Sequence, residues 1–166
     1  MPDAIIYIRF STTAQEDGDS RRRQRDDCEA FCKAKGLNVI EWVEDLGRSA
    51  WRGKHLSHGN LGKLTARIER GELAEGTVLV VEKLDRLSRE KPRIIRRWIE
   101  DVCDKGIRIA QVAPERWIDA EYLDDGRNMG AVIELAYENN AAHQYCQRRS
   151  KIRPRWRCKS RPAVEA

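Results

Sequence analysis

Short apolar runs recur along the chain, separated by polar or amphipathic segments. Four of these runs are rich in β-branched residues and short enough to be buried strands: residues 4–8, 37–43, 77–82 and 107–112. Residues 44–60 are rich in Gly, Ser and His, so they predict a loop instead. The pattern therefore predicts a sheet of at least four strands.

Helical periodicity occupies the segments between and after these runs. Ser20 is placed to cap a charged helix that ends near Gly36, and Pro92 suits the first turn of a later one. The remaining signals are two apolar stripes, each followed by a glycine, and a final long segment: Leu61, Leu64 and Ile68 before Gly71; Ile95, Trp98, Ile99 and Val102 before Gly106; and residues 128–151. Strand and helix alternate, which predicts an α/β fold: a largely parallel sheet of four to five strands flanked by helices, with a long C-terminal helix.

Composition narrows the class of protein without identifying it. The chain has 166 residues, 40% hydrophobic and 36% charged, which suits one domain of ordinary size with a short appendage. No apolar run approaches the length of a membrane span, and the N-terminus lacks the pattern of a secretory signal. We therefore expect a cytoplasmic protein.

Positive charge is concentrated near the C-terminus. Residues 148–162 contain eight Lys or Arg and no acid, and subtracting these eight from the net charge of +5 leaves −3 elsewhere. Such a segment is either an arm that binds phosphates or a solvated, disordered end, and charge alone favours neither. The candidates for DNA phosphate contacts in it are Arg148, Arg149, Arg153 and Arg155.

The cysteines do not predict a metal site. The chain has five, an odd number, and no two have CxxC spacing. Cys28 and Cys32 share a helix face, and a zinc site with His55 and His58 is conceivable, but buried thiols and surface histidines explain the same residues better. We expect no metal.

Two segments after predicted strands carry unusual chemistry. Tyr7, Arg9 and Ser11 alternate along the end of the first strand, so they share one side of an extended chain. The run Asp85-Arg86-Leu87-Ser88-Arg89 follows the third strand. In open α/β sheets such loops gather beyond the carboxyl ends of the strands. If these two strands are neighbours, a hydroxyl, a carboxylate and three guanidiniums converge there.

That combination suits phosphate chemistry. Guanidiniums donate paired hydrogen bonds to the oxygens of a phosphodiester under attack, and a serine becomes a useful nucleophile in such a field. Arg-x-Ser alone is weak, because an ordinary strand-end serine explains it. The five-residue run of residues 85–89 is much more specific, and the two together decide the interpretation.

In order and spacing these motifs resemble the catalytic domain of resolvase/invertase-type serine site-specific DNA recombinases. The motifs are Tyr7-x-Arg9-x-Ser11, Ser20-x-x-x-Gln24 and the run of residues 85–89, and the resemblance covers roughly residues 4–135. Residues 45–54 resemble the phage-type members with long chains. The family implies cleavage and rejoining of DNA without metal or other cofactor.

The resemblance assigns roles to individual residues. It implies that Ser11 is the nucleophile that forms a phosphoserine link to DNA. It implies that Arg9, Arg86 and Arg89 hold the scissile phosphate, supported by Gln24 and Asp85. A further arginine of the family has Arg52 or Lys54 as its counterpart, so we count both as candidate DNA contacts. Ser88 is equally explained as a helix-entry cap.

Domain organisation follows from the same comparison. We expect a catalytic domain over residues 1–127, an oligomerisation-type helix over 128–147 and a basic, disordered tail over 148–166. In the family that helix assembles dimers and tetramers. Here it loses its apolar stripe after Asn139-Asn140, so we expect weak or no self-association.

The tail resembles no DNA-reading domain, so it is either a genuine arm or the product of a truncated, prophage-derived gene. The alternative to an active enzyme is an inactive or partner-dependent remnant that binds DNA or another recombinase. A small α/β signalling or nucleotide-binding domain fits less well, because Arg9, Ser11, Arg86 and Arg89 are all present. The DNA target, and the choice among resolution, inversion and integration, stay open.

Overall fold

A computed structural model describes residues 1–10, 17–46, 59–84, 87, 92–125 and 128 of the chain. Strands and helices alternate through most of this length, as the apolar pattern predicts. In chain order they are β1 (Asp3–Phe10), α1 (Asp17–Ala34), β2 (Asn38–Leu46), α2 (Asn60–Glu69), β3 (Val78–Val81), α3 (Pro92–Cys103), β4 (Arg108–Gln111), β5 (Arg116–Ile118) and α4 (Ala120–Asp124).

The five strands form one sheet in the order β2-β1-β3-β4-β5. The first four are parallel to one another, and β5 runs antiparallel to β4. This confirms the predicted α/β fold with a largely parallel sheet. The sheet order also makes β1 and β3 neighbours, with Tyr7 opposite Val81, which meets the condition for residues after both strands to converge.

Helices cover both faces of the sheet. One core cluster joins alternate strand residues such as Ile5, Tyr7 and Leu79 to the apolar stripes of α2 and α3. A second cluster joins Ile6, Ile8 and the other alternate positions to Cys28, Phe31 and Cys32 of α1. Because both faces of β1 and β3 are buried, these two strands appear in the sequence as continuous apolar runs instead of alternating ones.

Several boundaries differ from those that the pattern predicts. Helix α1 begins at Asp17, so Ser20 lies within its first turns and does not cap it. The acids Asp17 and Asp19 suit the first turn of a helix, which explains the earlier start. Strand β2 continues to Leu46 because its polar end still pairs with β1, Glu44 opposite Ile8 and Asp45 opposite Arg9.

Two glycines end helices as predicted. Gly71 and Gly106 follow α2 and α3 and have φ angles of 70° and 78°, in the left-handed region that glycine adopts without strain. The predicted C-terminal helix and basic tail lie outside the described residues, except for Asn128. Among the helices that the structure describes, none is long and apolar enough to cross a membrane.

Candidate active site

The carboxyl ends of the parallel strands meet at one edge of the sheet, and two sequence motifs follow strands that end there. Ser11 is the residue after β1, and Asp85 comes four residues after the end of the neighbouring strand β3. Parallel strands bring the loops that follow them to the same edge, where open α/β sheets bind ligands. The described residues around this edge show how the ends of β1, β2 and β3 are held.

Arg9 lies near the end of β1 and is almost completely buried, with 6% of its surface exposed. Alternation along the strand places it on the same face as Tyr7, and its positive charge lowers the pKa of the Tyr7 hydroxyl. Burial raises that pKa most, and the Asp45 carboxylate raises it next, so the net shift is well upward. Tyr7 therefore stays protonated and acts as a hydrogen-bond donor.

Asp45 ties β1, β2 and α2 together at this edge. Its buried carboxylate accepts a hydrogen bond from the Tyr7 hydroxyl at 3.2 Å, and others from the backbone N–H groups of Asn60 at 2.8 Å and Leu61 at 3.0 Å. The N–H groups in the first turn of a helix have no acceptor within the helix. Asp45, on β2, accepts hydrogen bonds from two of those of α2 and so caps the N-terminus of this helix.

Gly59 allows this close approach of helix and carboxylate. It precedes α2 with a φ angle of 109°, and a Cβ atom there would lie 3.1 Å from Oδ1 of Asp45. A larger residue would meet both a strained backbone and a crowded carboxylate. The start of α2 is therefore fixed against the end of the strand that carries Arg9.

The loop after β3 is held by its two leucines and by Gln111. Leu84 and Leu87 are fully buried in the core, and the Leu87 N–H donates to the Leu84 carbonyl at 3.0 Å. The buried side chain of Gln111, at the end of β4, accepts from the Leu84 N–H at 3.4 Å and donates to the Pro114 carbonyl at 3.1 Å. Both ends of the Asp85-Arg86 pair are thus attached to the core.

Gln24 lies on α1, the helix that covers the opposite face of the sheet from Tyr7 and Arg9. Its side chain is 2% exposed. The preceding residue, Arg23, forms an ion pair of 3.4 Å with the buried carboxylate of Glu82, one residue beyond β3. This ion pair places the second turn of α1 next to the carboxyl edge of the sheet. Gln24 therefore lies near this edge, on the face of the sheet that α1 covers.

Other predicted site residues lie outside the described residues: Ser11, Arg52, Lys54, Asp85, Arg86, Arg89, Arg148, Arg149, Arg153 and Arg155. Their roles stay predictions. Sequence reasoning missed Asp45, Glu82 and Gln111, although each is a polar residue at the carboxyl end of an apolar run, a position that could have singled them out.

The described residues contain no group of three or more His, Cys, Asp or Glu side chains that could hold a metal ion. Cys28 and Cys32 are buried, as expected of core thiols, and burial raises their pKa values to about 12 and about 11. His55 and His58 lie outside the described residues.

Comparison with known proteins agrees with the fold. The protein called uncharacterized YbcK of Escherichia coli (strain K12) is 31% identical over the whole of this chain, which spans about a third of YbcK. The N-terminal catalytic domain of TP901-1 integrase superposes with a TM-score of 0.58 at 24% identity, covering 86% of this chain and 98% of that one. A resolvase family site-specific recombinase from Streptococcus pneumoniae superposes with a TM-score of 0.61 at 18% identity, covering 92% and 97%. At these identities the two structures support the fold alone.

Family membership rests on the sequence match itself. The family described as the resolvase N-terminal domain matches residues 4–153, which is most of the chain. The match includes β1, β3 and both motif loops. This chain belongs to the resolvase N-terminal domain family, the resolvase/invertase-type serine recombinases.

Proposed function

We propose that this chain is the catalytic domain of a site-specific DNA recombinase that cleaves and rejoins DNA through a phosphoserine on Ser11. Family membership supports recombination as the activity class. The observation that supports this mechanism is the parallel pairing of β1 with β3, because segments that follow neighbouring parallel strands begin at the same edge of the sheet. DNA in the cytoplasm is the proposed substrate.

In the proposed reaction the Ser11 hydroxyl oxygen attacks a backbone phosphorus. A bond forms between that oxygen and the phosphorus, a phosphorus–oxygen bond of the DNA breaks, the serine proton is lost, and the leaving DNA hydroxyl gains a proton. The covalent link keeps the energy of the broken phosphodiester, so a DNA hydroxyl can later reverse the step. The chemistry calls on no metal and no nucleotide.

Arg9, Arg86 and Arg89 are proposed to hold the phosphate while its charge grows. A guanidinium offers a planar pair of donors that matches two phosphate oxygens, and donors fixed in advance contribute most to the rate. The contacts described above support such fixing for the strand of Arg9 and for the residues on either side of the Asp85-Arg86 pair. Asp45 and Tyr7 brace the strand of Arg9, while Leu84, Leu87 and Gln111 hold the ends of the Asp85-Arg86 pair.

Binding and assembly are proposed to involve parts beyond this edge. Arg52, Lys54 and the basic tail would contact DNA phosphates, and self-association through residues 128–147 would be weak. Gln24 and Asp85 would support the arginines. These contacts neutralise charge without reading sequence, so the chain alone would bind DNA weakly and without site choice, with a Kd of about 10⁻⁴ to 10⁻⁶ M.

The test is covalent trapping. The chain, fused to a DNA-binding module, is incubated with DNA that carries a cleavable site, and denaturing gels reveal any protein–DNA adduct. We expect an adduct with the parent and with Ser88→Ala, and none with Ser11→Ala. An adduct that survives Ser11→Ala but disappears in Ser88→Ala would show that the nucleophile is misassigned.

A further inference from the structure

Helix α3 carries its charges in the reverse of the favourable order. Arg93, Arg96 and Arg97 occupy its first two turns, and the acids Glu100 and Asp101 come later. The first turn has no acid and the last turn no base. A helix dipole favours acids near the N-terminus and bases near the C-terminus, so this arrangement lowers the stability of the helix.

The ion pairs along this helix do not explain the arginines. Arg96 pairs with Glu100 at 2.8 Å and Arg97 with Asp101 at 3.9 Å, both four residues apart with the cation first, which is the weaker order. The Arg96 and Arg97 side chains are 59% and 83% exposed. Exposed pairs of this kind contribute little and are readily exchanged for another anion.

The position of α3 puts these arginines beside the candidate active site. The helix follows the segment of residues 85–91, and the core buries Leu84 just before this segment and Leu87 within it. The stripe containing Ile95, Trp98 and Ile99 packs into the same core, which fixes the rotation of the helix. Arg93, Arg96 and Arg97 consequently face solvent near the carboxyl edge.

We infer that Arg93, Arg96 and Arg97, the α3 arginine face, bind the sugar–phosphate backbone of DNA next to the cleaved phosphate. Guanidiniums suit phosphate oxygens, and the phosphate chain of a duplex would supply the negative charge that the start of this helix lacks. The exposed Ile94, three residues before Arg97, would then be partly covered. This inference rests on the proposed function, because it needs DNA at the Ser11 edge.

The first test measures the salt dependence of DNA binding. The full chain carrying Ser11→Ala, to prevent cleavage, is compared with the same chain also carrying Arg93→Gln, Arg96→Gln and Arg97→Gln. Each lost phosphate contact reduces the slope of log K against log salt by about 0.9, so we expect a reduction of roughly 2 to 3. Circular dichroism verifies that both chains are folded.

Arg70→Gln is the matched control. Arg70 is also 59% exposed and pairs with Glu72 at 2.5 Å, but it lies at the C-terminus of α2, by the opposite edge of the sheet. We expect its slope to equal that of the parent. Equal slopes for the triple variant and this control would refute the inference. So would a triple variant that changes the sedimentation coefficient but leaves DNA binding intact, because the face would then be a protein interface.

Arg93→Glu separates binding from folding. It puts an acid in the first turn of α3, so we expect a higher Tm together with weaker DNA binding. Weaker binding with a lower Tm would overturn the inference, because misfolding would then explain the loss.

The adduct assay on chains that keep Ser11 tests the proposed function separately. A reduced slope without any adduct refutes the serine chemistry alone, and an adduct with an unchanged slope refutes the α3 arginine face alone.

Discussion

Removing the Asp45 carboxylate tests the account of how the site edge is held. In Asp45→Ala, two backbone donors at the start of α2 lose their acceptor, and the buried Tyr7 hydroxyl loses its partner. Loss of a cap costs about 1 kcal/mol, and a buried donor left unsatisfied costs about 1–3 kcal/mol more. The free energy of unfolding should therefore fall by about 3 kcal/mol.

A double-mutant cycle with Tyr7→Phe isolates the side-chain contact. Tyr7→Phe alone should cost about 1 kcal/mol, because Asp45 keeps its two backbone donors. In the Tyr7→Phe background no hydroxyl is orphaned, so Asp45→Ala should then cost only about 1 kcal/mol. The coupling of about 2 kcal/mol is the quantity to measure, by urea unfolding followed with circular dichroism.

Asp119→Ala provides the matched control for this cycle. Asp119 caps α4 through a single N–H, that of Tyr122 at 2.9 Å, so its removal should cost about 1 kcal/mol in either background. If Asp45→Ala costs no more than Asp119→Ala, Asp45 does not tie the strands to α2. Costs of Asp45→Ala and Tyr7→Phe that add to within about 0.5 kcal/mol would equally contradict the reasoning.

Three further predictions concern the thiols, the arginine loop and the tail. Burial raises the pKa of Cys28 and of Cys103 to about 12, whereas a thiol exposed by unfolding ionises near 9. The folded chain therefore holds more protons than the unfolded chain above pH 9. Its free energy of unfolding should consequently fall as the pH rises above 9. The variant Cys146→Ser/Cys158→Ser keeps only the buried thiols of Cys28, Cys32 and Cys103. A thiol reagent at pH 8 should therefore label this variant no faster than it unfolds, and rapid labelling of the folded chain would contradict this. Arg86→Lys should slow adduct formation at least about a hundredfold at unchanged Tm, and a near-normal rate would make Arg86 structural. Deleting residues 148–166 should remove most DNA binding while keeping the fold, and equal affinity by fluorescence anisotropy would exclude the tail as a phosphate-binding arm.

Periodicity predicted the parts of the fold in which many apolar side chains act together. Leu61, Leu64 and Ile68 are all buried, as are the stripe residues of α3, residues 4–8 of β1 and the apolar residues of β3 and β4, whereas the edge strand β2 leaves Ile40 48% exposed. Strand β5 was missed because Arg116–Ile118 is three residues long and depends on pairing with β4, which no local pattern encodes. The length of β2 was missed for the same reason, since its polar end is stabilised by a neighbouring strand.

The sequence identified only those site residues that belong to short motifs. Arg9 and Gln24 were identified from motifs, and the structure shows both to be buried. Asp45 and Gln111 were not identified, because the partners of Asp45 lie 15 to 38 residues away and the contact of Gln111 with the Leu84 N–H spans 27 residues. A polar side chain at a strand end is equally compatible with solvent and with a buried contact until the neighbouring elements are placed.

The most direct test of the proposed mechanism is to identify the amino acid that carries the DNA. The trapped adduct is digested with nuclease and trypsin, and the modified peptide is sequenced by mass spectrometry. Cleavage after Arg9 and Arg21 places Ser11 in the peptide of residues 10–21, where fragmentation distinguishes it from Thr12, Thr13 and Ser20, whereas Ser88 falls in the separate peptide of residues 87–89. We predict a nucleotide remnant on Ser11, absent from Ser11→Ala. A remnant on Ser88, or on any residue other than Ser11, would contradict the mechanism.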